Sequence, residues 1–87
     1  MVRRRFAHKE IGRVRKGPGA YKLYAKNAKK PTYIGSSGNI RRRLIEHEGS
    51  RYYTFDVFHT KTLERAKEKE KRMIRINKPR RNKTYMP

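Results

Sequence analysis

The spacing of apolar residues along the chain indicates its secondary structure: alternation with a period of two is typical of strands, and helical spacing is typical of helices. Residues 20–25 alternate between apolar and polar side chains after the Gly17-Pro18-Gly19 break, which is typical of a strand. A polar segment that ends at Pro31 separates them from residues 32–35, and we predict that these two strands form a hairpin. Residues 52–59 are rich in aromatic and β-branched side chains, so they are predicted as a third strand.

The helical segments are marked by their ends. Residues 39–48 have helical character and stop before Gly49, a residue favoured just after a helix. Thr62 is predicted to cap a helix that runs to about Asn77, since Lys78 precedes Pro79 and is biased away from helical geometry. Residues 6–14 form a short predicted helix inside a basic arm or cap. The order β-β-α-β-α predicts an α+β single domain, with a small three-stranded antiparallel sheet flanked by helices.

The net charge of the chain limits the classes of partner that it is expected to bind. The 87 residues contain 26 Lys and Arg against 7 Asp and Glu, a net charge of +19. Such an excess favours a polyanionic partner, and nucleic acid is the leading candidate, whereas no apolar stretch suits a membrane. The chain has no Cys and three scattered His, so only carboxylates could anchor a metal. No apolar segment follows the first arginines, so we expect no secretory signal and a cytoplasmic, nucleoid-associated location.

One carboxylate lies where an apolar side chain is expected. On a helical wheel Leu63, Ala66, Met73 and Ile74 define the predicted buried arc, and Glu70 falls about 20° from Leu63, inside it. A carboxylate in such a place is costly unless it is paired with a cation. A buried salt bridge and a bound metal ion both satisfy this requirement.

The preceding helix carries a similar pair of polar residues. Arg43 and His47 are four residues apart and share its apolar face, while Arg41 and Arg42 point elsewhere. A packed structural histidine is the alternative interpretation of His47. Tyr21 and Tyr33 lie on adjacent predicted strands beside glycines, where a ligand can approach the backbone. They are candidates for a two-tyrosine site, with ordinary core packing as the alternative.

These residues occur in a recognisable order. It runs Gly19-Ala20-Tyr21, Tyr33-Ile34-Gly35, Arg43, His47, Glu70, Pro79 and Asn82. The sequence resembles the GIY-YIG nuclease superfamily, in particular the N-terminal cleavage domain of the incision subunit of bacterial nucleotide-excision repair. The similarity covers residues 17–82, which we expect to be the nuclease domain between a basic arm or cap at 1–16 and a tail at 83–87. Ala20 replaces the usual Ile or Val, which affects packing and not the chemistry.

The resemblance implies a phosphodiesterase with one divalent cation, magnesium or manganese, bound by Glu70. It implies that Tyr21 lies near the attacking water and takes part in proton transfer, assisted by Tyr33 and His47. We expect the metal, Arg43 and the positive field to favour the anionic form of Tyr21. Arg43 would bind the scissile phosphate, and Asn82 would hold the site by hydrogen bonds.

Basic residues outside this set are expected to contact backbone phosphates. They are Arg3, Arg4, Arg5, Arg41, Arg42, Lys78, Arg80 and Arg81. We expect DNA rather than RNA as the substrate, cut in a structure-specific or weakly specific way during repair or recombination. A basic nucleic-acid-binding module without catalysis is the alternative, and a subunit that positions a partner nuclease is a third class.

Overall fold

The computed structural model of the chain describes residues 4–47 and 52–77. The elements in chain order are β1 (Arg4–Arg5), α1 (His8–Gly12), β2 (Gly19–Tyr24), β3 (Tyr33–Ser37), α2 (Ile40–Glu46), β4 (Thr54–His59) and α3 (Leu63–Asn77). The strands form one antiparallel sheet in the order β1-β4-β2-β3. The predicted α+β class and the three predicted strands are confirmed, and β1 is an addition to them.

The added strand comes from the predicted basic arm. Arg4 and Arg5 pair with Phe55 and Thr54 of β4, and the Phe6 N–H donates to the Tyr53 carbonyl at 2.8 Å. Two consecutive arginines have no strand periodicity, so nothing in the hydropathy pattern indicates this pairing. Backbone hydrogen bonds along the edge of β4 hold the segment instead.

One face of the sheet is covered by α1 and α2. Their side chains Ile11, Ile40 and Leu44 are fully buried against Tyr21 and Leu23 of the central strand β2. Burial of an aliphatic side chain contributes about 1.5–3 kcal/mol. The described part of the segment before residue 17 therefore packs against the core instead of extending into solvent.

The opposite face is covered by α3. Ala66 and Met73 are its buried residues, and Met73 packs with Ala20 and Ile34 of the sheet. Leu63, expected in the buried arc, is 41% exposed, and this expectation is wrong. Leu63 shares the helical face of Ile74, which packs against the core, so its exposure is due to its position in the first turn of α3 and not to its angle around the helix.

Both long helices begin with a side-chain cap. The Asn39 Oδ1 accepts the Arg42 N–H at 3.2 Å, and the Thr62 Oγ1 accepts the Arg65 N–H at 3.1 Å, as predicted for Thr62. These hydrogen bonds fix the starts of α2 and α3, and hence the direction of their side chains. Among the described residues, no helix has the length and apolar character needed to cross a bilayer.

Candidate active site

Tyr21 occupies the centre of the candidate site. It lies on β2, is fully buried, and is the cross-strand partner of Gly35 on β3. Its ring extends across Gly35. A Cβ placed at that glycine would lie only 2.6 Å from the Tyr21 Cζ. The lack of a side chain at Gly35 therefore allows the tyrosine hydroxyl to reach the edge strand.

A histidine and a second tyrosine surround this ring. The Tyr21 hydroxyl and the His47 Nε2 are 3.1 Å apart, a hydrogen-bond distance. The ring of Tyr33 is 6.2 Å from that of Tyr21 and 5.2 Å from that of His47, measured between centroids. His47 is the residue that ends α2, so the helix terminus brings it over the sheet. Tyr52 completes the aromatic cluster, with its ring 6.1 Å from His47.

Arg43 lies one helical turn before His47 and belongs to the same cluster. Its guanidinium interacts with the Tyr21 and Tyr33 hydroxyls, and its Nη1 donates to the Glu46 Oε1 at 2.7 Å. The Glu46 carboxylate, and after it Tyr21, raise the pKa of Arg43, so the guanidinium stays charged. The structure thus places one arginine of the triplet beside the tyrosines.

The other two arginines of the triplet point away from the cluster. Arg41 donates from Nη1 to the carbonyl of Gly12 at 3.3 Å, so its side chain links α2 to α1. Arg42 is exposed, and its Nε is 3.6 Å from the Glu46 carboxylate. This arrangement agrees with the wheel analysis of the helix.

The ionisation of Tyr21 differs from the expectation. Burial raises its pKa well above the ordinary value, Tyr33 raises it further, and the nearby Arg43 opposes both without overcoming them. The groups of the protein by themselves therefore favour the neutral phenol, and Arg43 alone does not produce the expected anionic form. Burial also lowers the pKa of His47, and the charge on Arg43 lowers it further, so the imidazole is neutral at pH 7.

Glu70 reaches the same sheet edge from α3. It is half-buried, and the Ser36 hydroxyl donates to its Oε1 at 2.5 Å. Ser36 directly follows Gly35, so the Tyr21 hydroxyl and the Glu70 carboxylate approach consecutive residues of β3. The salt-bridge alternative finds no support within residues 4–47 and 52–77, where the ion pairs involve Glu10 and Glu46. On the helix, Glu70 lies between the buried Ala66 and Met73 on one side and the partly buried Ile74 on the other, as the helical wheel predicts.

Glu70 and Ser36 are the oxygen donors that could hold a metal here. The described residues contain no group of three or more His, Asp or Glu close enough to bind a metal together. A hard cation such as Mg²⁺ keeps several of its waters and needs only one or two protein oxygens, so this donor pair fits it. A two-metal centre would require more carboxylates than this edge provides.

Several predicted site residues are placed elsewhere or are not described. Asn82, Arg3, Lys78, Arg80 and Arg81 lie outside the described residues. Arg4 and Arg5 are exposed on β1, with the Arg5 guanidinium 5.4 Å from the centre of the Tyr53 ring. Sequence reasoning missed two polar partners, Ser36 and Glu46. The spacing of three between Arg43 and Glu46 on a helix was a usable signal for the latter.

Comparison with known proteins gives structural neighbours only. No protein-family model and no curated protein matches the sequence. The magnesium-bound GIY-YIG N-terminal endonuclease domain of UvrC from Thermotoga maritima superposes with a TM-score of 0.72 and 20% identity, over 83% of this chain and 90% of that one. A point mutant of the same domain, bound to its catalytic divalent cation, superposes with a TM-score of 0.71 and 22% identity. This match covers 83% of this chain and 89% of the mutant domain. The chain therefore has the GIY-YIG endonuclease fold.

Proposed function

We propose that this protein is a metal-dependent endonuclease that hydrolyses phosphodiester bonds in nucleic acid. The observation that carries the proposal is the hydrogen bond between the buried Tyr21 hydroxyl and the neutral His47, next to the Arg43 guanidinium. A proton donor, a proton acceptor and a fixed positive charge are the groups that phosphodiester hydrolysis needs. They converge on one sheet edge of a fold shared with a known endonuclease domain.

Tyr21 and His47 form a path for one proton. The raised pKa of Tyr21 makes its anion an unfavourable starting state, so the phenol needs a partner that takes its proton. The neutral His47 Nε2, 3.1 Å away, is that partner. As water attacks phosphorus, its proton passes to the Tyr21 oxygen while the Tyr21 proton passes to His47. The P–O bond on the far side breaks, and the leaving oxygen is protonated by solvent.

Arg43 stabilises the negative charge that develops on the phosphate. One of its nitrogens is held by Glu46, which fixes the plane of the guanidinium against the two tyrosines. The remaining N–H donors provide the fork that binds phosphate oxygens. Tyr33 packs against His47 and Tyr21 and positions both rings.

Glu70, with Ser36, would hold one divalent cation, magnesium or manganese. When bound, such an ion supplies positive charge next to the phosphate oxygens. The magnesium in the neighbouring UvrC domain supports this assignment. The hydroxyl of Ser36 orients the carboxylate of Glu70 at the edge of β3. Asn82 is proposed to support the site by hydrogen bonds, as the family resemblance implies.

The proposed substrate is DNA rather than RNA, cut according to its structure or with weak sequence preference. The positive charge of the chain supports phosphate contacts, which carry no sequence information. A role in DNA repair or recombination, with a cytoplasmic location at the nucleoid, follows from the same resemblance. Arg42 is a proposed phosphate contact near the site, since it is exposed on α2.

The test compares cleavage of labelled supercoiled plasmid, a branched junction, damaged duplex and RNA, each with magnesium or with EDTA. We expect nicking of a DNA substrate that requires magnesium and is abolished by Glu70→Gln. Glu64→Gln is the matched control, since it removes the same charge from an exposed position of the same helix. Equal activity in both variants would remove Glu70 from the mechanism. Tight binding of every substrate by the wild type without any cleavage would favour the non-catalytic binding module.

A further inference from the structure

A basic cleft lies between the end of β4 and α3, away from the tyrosine cluster. Its volume is about 700 Å³, and it is open to solvent on one side. Among the described residues, five cations line it: Arg15, Lys61, Arg65, Lys69 and Arg72. Glu68 is the one acidic side chain in this described lining. We call this feature the β4–α3 cleft.

The cleft and Glu70 lie on different sides of α3. At about 100° per residue, Arg65 and Arg72 point about 140–160° away from Glu70 around the helix axis, and Lys69 points about 100° away from it in the same direction. The buried side chains Ala66 and Met73 lie between the two directions and face the sheet. The cleft is therefore distinct from the candidate active site, whose Glu70 lies at the opposite flank of the same helix.

In the described part of the chain, no ion pair includes a cation of the cleft, and Glu68 is the acid that lines it. The ion pairs recorded in the described part of the chain involve Glu10 and Glu46, neither of which lines the cleft. The effect of the positive charge is visible at His59, whose pKa is lowered by burial first and then by Arg15 and Arg4. Five positive charges gathered around one negative charge repel each other, and a polyanion relieves that repulsion.

The spacing of the cations fits a nucleic-acid backbone. Arg65 and Arg72 are seven residues apart on α3, which is about 10 Å along the helix axis. One strand of a duplex has a phosphate about every 3.4 Å along its axis, so this row can meet about three phosphates. Phe58 forms one wall, and the Lys69 Nζ lies 5.1 Å from the centre of its ring, which holds that lysine in place.

We propose that the β4–α3 cleft binds the sugar-phosphate backbone of a segment of nucleic acid other than the one being cut. This inference extends the proposed function to a second contact region, and it predicts a substrate long or branched enough to reach both flanks of α3. The cleft is expected to contribute affinity and its salt dependence, and to leave the chemical step unchanged.

The first experiment measures binding of a labelled DNA duplex to the full chain in EDTA, so that no cleavage is needed. The variant Arg65→Gln/Lys69→Gln/Arg72→Gln is compared with Lys26→Gln/Lys29→Gln/Lys30→Gln, which removes the same charge from exposed positions between β2 and β3. We expect the cleft variant to bind about tenfold more weakly or worse at low salt, and to lose up to about 2.7 units of the log-log salt slope. Equal losses in the two variants would show a general charge effect and overturn the proposal.

A single substitution that removes a negative charge should have the opposite effect on affinity, and it changes the helix less than the triple variant does. Glu68→Gln removes the acid that lines the cleft, so affinity should rise, whereas Glu64→Gln on the same helix does not line it and should raise affinity less. Circular dichroism of all variants checks that the helix is intact. Equal affinities of these two variants would contradict the placement of DNA in the cleft.

Two further readouts separate this proposal from its rivals. Polyglutamate of matched charge is used as a competitor, and if it displaced DNA as well as unlabelled DNA does, the cleft would be a site for acidic polypeptides. Single-turnover cleavage is then measured with magnesium at saturating protein. An unchanged rate in the cleft triple variant is expected, and a collapse of that rate would make the cleft part of the active site. The binding results stand even if the wild-type protein proves to have no nuclease activity.

Discussion

A methyl group added at Gly35 should disrupt the candidate site, because it would meet the side chain of Tyr21. The Cβ of Gly35→Ala would lie 2.6 Å from the Cζ and 3.1 Å from the Cε1 of Tyr21, and would overlap its hydroxyl. The tyrosine ring is fully buried and packed against Tyr33 and His47, so it has little room to move. Either the ring or the β2–β3 pairing must shift, and each shift separates Tyr21 from its hydrogen-bond partner.

The magnitude follows from the cost of overpacking. Extra atoms in a well-packed core cost about 1–3 kcal/mol, which for a domain of this size corresponds to about 4–8 °C in Tm for each kcal/mol. Cleavage should fall further than stability suggests, because a displacement of about 1 Å in a catalytic group can cost about 100-fold in rate.

Gly38→Ala is the matched control. A Cβ at Gly38 meets no heavy atom within 4 Å, so this variant should keep the stability and the cleavage rate of the wild type. Thermal unfolding followed by circular dichroism and single-turnover cleavage are the two measurements. If Gly35→Ala unfolded at the temperature of Gly38→Ala, the contact between Tyr21 and Gly35 would not be as described.

A double-mutant cycle tests whether Tyr21 is the side chain that the added methyl group contacts. Tyr21→Leu shortens the side chain that lies over Gly35, so the cost of Gly35→Ala should shrink in that background. The coupling expected for residues in direct contact is about 0.5–3 kcal/mol. Additive effects would place the clash elsewhere.

Three further predictions concern ionisation and charge. Because the pKa of Tyr21 is raised, its contribution to stability is full below about pH 10 and is lost at higher pH, and tyrosinate absorbance should show one late-titrating group that Tyr21→Phe removes. The lowered pKa of His47 means that the unfolded chain binds its proton more readily. Stability should therefore fall below about pH 6.5, less steeply in His47→Gln, as urea unfolding will measure. In single-turnover assays Arg43→Ala should lose about 100-fold in rate, whereas Arg42→Ala should mainly weaken binding.

The elements of this fold other than β1 could be predicted because each has a local signal in the sequence. Thr62 caps α3 in the sequence as in the structure, and the alternation before Tyr24 is that of β2. Arg43 and His47 were placed on one face by helical spacing alone, and they do meet over the sheet. Helical spacing is sufficient to predict which residues share a face of the helix, because that prediction depends only on positions within one segment.

What the sequence did not predict depends on contacts between distant segments. The pairing of β1 with β4 rests on backbone hydrogen bonds that any side chains could make, so Arg4 and Arg5 gave no signal. Leu63 shares the helical face of the packed Ile74 yet is exposed, so a position on the helical wheel does not show whether another element covers that turn of the helix. The neutral state of Tyr21 follows from its complete burial, which no count of nearby positive charges indicates.

The central strand explains how one small domain separates two kinds of chemistry. β2 lies between β3 and β4, and its successive side chains point to opposite faces, so Tyr21 meets α2 while Ala20 meets α3. Helix α3 then has one flank at β3, where Glu70 binds Ser36, and the other at the end of β4, where the basic cleft opens. A nucleic acid held in the cleft would lie across α3 from Glu70, and on the opposite face of the sheet from Tyr21. The segment that is bound and the segment that is cut are therefore separated by the sheet as well as by that helix.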